Sequence, residues 1–329
     1  MRNLSLDPLW HTAMPIYQHT VGVVTHLLSA FAFYLIIRKT PNSSKLFAKY
    51  LILLQASITL VDLNFGLLSA PIALFPIPGG LCNGILCTWF GLSGHSGIVI
   101  MFFSVAFVAV SIIYCFHFRL VSIGTILGQD SHTAFRHMIF RIILFIVYVI
   151  PCTLLIGLYR NLEGGLLFVK NNFPSMYYLI ENPKYRVIVY DTNLFQEYFM
   201  IFTVATNFVS LHNFGIEKRL KFVHGQVMIL AAVLIIYFVH SVFSALANQN
   251  SFSDKTRQLQ HQLMKILLIQ TLVPLAIQMA PAMISSYSLL SLTLNPDINN
   301  AFLCFQLTHT LVHTVVLIGT TPSYREPLM

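Results

Sequence analysis

The chain has 329 residues, of which 56% are hydrophobic and only 9% charged, with a mean hydropathy of +0.74. A water-soluble domain carries about 25% charged residues, so this composition excludes an ordinary soluble enzyme and requires lipid as the solvent. The formal charge of +8 and pI near 9.3 come from basic residues dispersed between apolar runs, which argues against nucleic acid and fits the cytoplasmic bias of membrane proteins.

Seven apolar runs follow one another: Pro15–Ile37, Phe47–Ile72, Gly84–Phe116, Met138–Leu158, Val223–Leu246, Leu263–Leu290 and Ala301–Thr320. Each can cross about 30 Å of hydrocarbon at ~1.5 Å per residue. All are predicted to be helices, because a segment in lipid must satisfy its own backbone hydrogen bonds. The expected fold is therefore all-α, a polytopic seven-transmembrane bundle filling residues 1–329 as one domain. The third run exceeds what a span needs and must tilt or project. A shorter stretch, Phe199–Val209, is bordered or broken by Glu197, Asn207 and His212 and reads as a packed or interfacial segment.

Charge arbitrates the topology. With seven spans and the N-terminus outside, the inner side receives Arg38, Lys39, Lys45, Lys49, Arg119, Arg136, Arg141, Lys255, Arg257, Lys265 and Arg325. The short outer segments then hold only Arg2, and the other basic residues fall in a long outer loop at 159–222, where the rule loses force. An eighth span would move Lys255, Arg257, Lys265 and Arg325 outside. Asn3-Leu4-Ser5 is a glycosylation sequon on the predicted outer side, whereas Asn42-Ser43-Ser44 falls inside.

Asp62 is the one acidic residue well inside a predicted span, and a lone carboxylate in hydrocarbon is costly. Two readings stand: an intramembrane polar hub whose bonding changes between states, or a packing carboxylate satisfied by Asn64 or a neighbouring helix. Cys82 and Cys87 flank the start of the third run and can face an oxidising compartment. His95 falls toward the outer half of that run, where a ligand cavity between helices could open. Arg119 closes it at the inner face, as a donor to a cytoplasmic partner or as an anchor snorkelling to headgroups. Pro274 and Pro281 interrupt the sixth run and are expected to kink it. His309 and His313 stand one turn apart, a spacing able to bind metal, but no third ligand is identifiable and interhelical hydrogen bonding is favoured. No HExxH, P-loop, GxSxG or paired-carboxylate arrangement is present, so neither catalysis, a cofactor nor a metal is expected.

Further motifs keep a common order along nearly the whole chain. They are Leu53-Leu54-Gln55 followed by Asp62, Pro71-Ile72-Ala73-Leu74-Phe75-Pro76-Ile77-Pro78-Gly79-Gly80, Gly91-Leu92-Ser93-Gly94-His95 and Cys115-Phe116-His117-Phe118-Arg119. Glu181-Asn182-Pro183-Lys184-Tyr185 and the closing Thr320-Thr321-Pro322-Ser323-Tyr324-Arg325 complete the set. With these the chain resembles the nematode serpentine chemoreceptors of class I (Sri) and their class H (Srh) relatives. The resemblance implies a G-protein-coupled receptor in the plasma membrane, in sensory cilia of neurons. It also implies a small-molecule ligand entering among the helices from outside and a heterotrimeric G protein engaging the inner face near Arg119. Departures from the wider receptor pattern are the absence of an Asp/Glu-Arg-Tyr triplet, of Asn-Pro-x-x-Tyr, and of any cysteine in residues 159–222. A transporter or channel is the alternative, supported only by Asp62 and the histidines, and no internal repeat favours it.

Overall fold

The computed structural model describes residues 6–42, 45–126, 162–182, 186–190, 261–273 and 295–325, with isolated helical positions between these stretches. Four described helical segments are long and apolar enough to cross a membrane: Trp10–Lys39, Lys45–Leu68, Gly94–Arg119 and Pro296–Thr320. Apart from isolated helical positions, the runs Met138–Leu158 and Val223–Leu246 lie outside the described residues, as does all of Phe199–Val209. The sixth run is described chiefly at 261–273, where it is helical.

Helix α1 (Trp10–Lys39) begins before Pro15, its first turn preceded by Asp7, whose carboxylate accepts the Leu9 N–H at 2.9 Å. Helix α2 (Lys45–Leu63) continues as a π-helical turn, Asn64–Leu68, and stops before Ile72, where the hydropathy pattern would have carried the span. The physical stop is local. Ala70 adopts φ 39°, a left-handed conformation disfavoured for a residue with a Cβ, and Pro71 follows it with no N–H to continue a ladder.

The third run is not one helix. It divides into a short helix α3 (Ile85–Thr88), a connecting segment, and α4 (Gly94–Ile126). Gly91 holds φ 66° in that connection, a conformation glycine adopts without steric cost. At 33 residues α4 is about 50 Å long, so it projects past the hydrocarbon and past Arg119. The last run also departs from the simple reading. It begins at Pro296 rather than Ala301 and breaks at Leu307–Thr308 between its two halves.

Between α4 and the last run lie α5 (Leu162–Asn172), a 3-10 turn at Pro174–Met176, and α6 (Tyr178–Glu181). The last run comprises α7 (Pro296–Gln306) and α8 (His309–Thr320), followed by a short α9 (Pro322–Arg325). Asn295 caps α7 by accepting the Asp297 N–H, with Pro296 at the first helical position.

The first and last spans run parallel. At one end the Asp7 N–H donates to Asp297 Oδ1 at 3.1 Å, and at the other the hydroxyls of Thr40 and Tyr324 meet at 2.8 Å. Parallel first and last helices require an odd number of crossings.

The end bearing Asp7 is closed by a small antiparallel sheet, which adds a β element to an otherwise helical architecture. Strands β1 (Pro71–Ala73), β2 (Gly79–Cys82) and β3 (Val187–Val189) lie in the order β1-β2-β3, with Ile72 opposite Leu81 and Gly80 opposite Ile188. The strand at 187–189 comes from the segment expected to be a long loop. A Cβ at Gly80 would stand 2.9 Å from the Ile72 carbonyl, and one at Gly79 would collide with that of Ile188, so both positions require glycine. Asn300 of α7 extends the edge. Its Oδ1 accepts the Ala73 N–H and its Nδ2 donates to the Ala73 carbonyl, each at 3.0 Å, as a neighbouring strand would. The Cys82–Cys87 disulfide ties β2 to α3.

Candidate functional site

Beneath this lid lies a cavity of about 300 Å3. Its roof is Ile72, Leu81 and Ile188 from the three strands. One wall is the first turns of α4, which presents Ile98, Met101, Phe102 and Val105; the other is α7, with Asn299, Leu303 and Gln306. These residues meet because α4 starts and α7 runs at the lid end while the strands cross above them. Nothing in the hydropathy of any single run marks them as a set.

His95 does not line the cavity. Its Nδ1 and the Tyr190 hydroxyl are 2.8 Å apart and the two rings meet edge to face, and it is Tyr190 that reaches the cavity wall. The structure therefore gives His95 a positioning contact behind the wall. Tyr190, immediately after β3, carried no local sign of this role.

Below the cavity the break in the last run brings polar groups together. His309 Nδ1 lies 2.9 Å from the Gln306 carbonyl, so it carries the proton and donates, leaving Nε2 to accept from the Thr310 hydroxyl at 3.2 Å. The same Nδ1 stands 3.7 Å from Asp62 Oδ1, and the hydroxyls of Thr25 and Thr310 neighbour that carboxylate. Asp62 is 3% exposed. Two turns earlier on α2, Gln55 donates to Ser29 Oγ at 3.2 Å and Thr314 Oγ1 at 3.3 Å, joining α1, α2 and α8. Asn64 does not satisfy Asp62; it donates to Ser104 of α4 at 2.6 Å. His313 lies buried one turn beyond His309. Among the described residues no group of three His, Cys, Asp or Glu side chains could hold a metal.

At the far end Arg119 is buried, its guanidinium carbon 3.7 Å above the Phe47 ring. Phe118 stacks on Phe47 and Tyr50, with centroids 5.9 and 4.4 Å apart. The helix at 261–273 joins this end through Gln270, which donates to the hydroxyls of Thr320 and Thr321 at 3.0 and 3.2 Å. Asn3 and Pro274 lie outside the described residues, while Pro281 is helical and buried.

The family model for the serpentine type 7TM GPCR chemoreceptor Sri matches residues 7–328. The chain belongs to the Sri family. It is a multi-pass helical membrane protein of the seven-transmembrane chemoreceptor type, and the odd number of crossings required by parallel α1 and α8 agrees with that architecture. The Sri match spans the three strands, the cavity lining and the residues around Asp62. No curated protein matches the chain.

Proposed function

We propose that this chain is a chemosensory G-protein-coupled receptor, without enzymatic activity, that takes a small-molecule ligand into the cavity under the lid. It would sit in the plasma membrane, in sensory cilia of neurons, with its N-terminus outside and C-terminus inside. A heterotrimeric G protein would then engage the end bearing Arg119. The observation that carries this reading is the placement of Gln306: its side chain lines the cavity, its carbonyl accepts from His309, and His309 stands beside Asp62. A ligand shifts an equilibrium between arrangements only by binding one better than the other, and in this reading the break at Leu307–Thr308, between the cavity and Asp62, is the element that moves. Pro281, with Pro274, is a further pivot in this reading.

The test is G-protein activation in cells expressing the chain, stimulated with an agonist found by screening. Arg119→Ala at equal surface expression is expected to abolish activation. Retention of full activation would remove Arg119 from the partner contact, and ligand-evoked current or uptake without any G protein would overturn the receptor reading.

A further inference from the structure

The lining of the cavity restricts what can occupy it. Among the described residues its wall contains no Asp, Glu, Lys, Arg or His. An ionised guest would therefore surrender its hydration with no countercharge in return, an arrangement proteins avoid. Apolar side chains close the roof and the α4 wall and, with Asn299 (whose Nδ2 donates to the Asn295 carbonyl at 3.4 Å) and Gln306, the α7 wall, so most of the gain on binding comes from removing apolar surface from water. The volume of about 300 Å3 is at the lower limit for small-molecule sites. It corresponds to roughly ten water-sized groups at ~30 Å3 each.

Polar contact is confined to a few places. The Tyr190 hydroxyl is already engaged with His95, and Ser69 Oγ donates to the Gly97 carbonyl at 3.2 Å. The Gln306 amide takes no hydrogen bond among the described residues, and it stands at the end of α7 where the helix breaks. It offers both a donor and an acceptor.

We infer that the cavity binds a neutral, mainly apolar molecule of about ten non-hydrogen atoms carrying one hydrogen-bonding group, and that Gln306 reads that group. This deepens the receptor reading and rests on it only in taking the guest to be the signal. Binding at Gln306 acts on the residue whose carbonyl holds His309, so occupancy and the geometry of the break are coupled.

The experiment measures thermal stabilisation of the purified full chain in lipid nanodiscs. The probes are straight-chain 2-ketones of increasing length, with carboxylic acids, primary amines and alkanes of matching length. Affinity for the ketones is expected to rise about fourfold per methylene until the cavity fills, then fall, while acids and amines give no stabilisation. Val105→Trp, which fills the cavity from the α4 wall, is expected to abolish the ketone effect and so separates the site from partitioning into lipid. Gln306→Leu, close in volume, is expected to retain alkane binding and reduce the ketone's advantage by about fivefold, the worth of one hydrogen bond. Stabilisation by acids or amines equal to that by ketones would overturn the inference. So would absence of stabilisation by every neutral probe, or a ketone effect unchanged in both variants. Ketone binding without G-protein activation would instead remove the receptor reading and leave the cavity's chemistry standing.

Discussion

Gly22 of α1 and Gly66, in the π-helical turn that ends α2, face each other so closely that a Cβ on Gly66 would stand 3.2 Å from the Gly22 Cα and from the Gln18 carbonyl. A Cβ on Gly22 would stand at an ordinary 3.5 Å from the Gly66 Cα. In lipid, helices associate by close packing of small residues rather than by hydrophobic burial, so this contact fixes the crossing. Gly66→Ala is expected to cost about 1–3 kcal/mol, because backbone must move to admit it. Gly22→Ala should cost much less. Equal melting temperatures for the two variants in nanodiscs would show that the crossing is compliant.

Asp62 tests the hub. The groups around the carboxylate keep partners of their own: Thr25 donates to the Gly22 carbonyl, His309 to that of Gln306, and Thr310 to His309 Nε2. Asp62→Ala therefore strands none of them, and both it and Asp62→Asn are expected to hold or raise the melting temperature by relieving a buried carboxylate, while altering the agonist response. A loss of about 1–3 kcal/mol in both variants would show instead that the carboxylate holds its neighbours by hydrogen bonds.

The disulfide clips the lid. Loop closure over a bridge of five-residue separation contributes about 2 kcal/mol on the chain-entropy model. Replacing Cys82 and Cys87 together by serine is expected to lower the melting temperature and weaken cavity binding, since Cys82 lines the cavity. Mild reductant should reproduce both effects in the parent chain and neither in the double variant.

Tyr324 anchors the tail. It is 1% exposed, packed with Leu35, Ile36, Leu51 and Leu317, and bonded to Thr40. Tyr324→Phe should cost about 1 kcal/mol for the hydrogen bond, and Tyr324→Ala about 3–5 kcal/mol for the cavity left behind. Burial raises the pKa of this phenol above its ordinary 10.0, with the Thr40 contact opposing. The folded state therefore holds its proton more tightly than the unfolded one. This contribution is complete below about pH 10 and is lost as pH rises through the folded value. Alkaline melts of the parent chain and Tyr324→Phe should converge there.

Orientation is checked by a tag at each terminus. The N-terminal tag is expected to be reachable on intact cells and the C-terminal tag only after permeabilisation. The reverse pattern would invert the receptor, and both tags on one face would contradict the parallel course of α1 and α8.

Sequence alone determined the solvent and the helices. An apolar run of span length has to be helical in lipid, whatever it packs against, and a carboxylate inside such a run stands out because its desolvation is costly. Asp62 was legible for that reason, and His309 as a polar group in an apolar helix. Family membership was legible too, because its motifs keep their order along the chain. Tertiary structure decided where helices stop and what meets across them. The third run reads as continuous because hydropathy does not register a turn at Gly91, and Ile72 reads as membrane because strand and span residues are equally apolar. The pairing of β2 with a strand more than a hundred residues later, the Asn300 side chain on the Ala73 backbone, and Tyr190 between His95 and the cavity are contacts between distant segments. Local periodicity carries no information about such contacts, because only the folded chain brings those backbones and side chains within hydrogen-bonding distance.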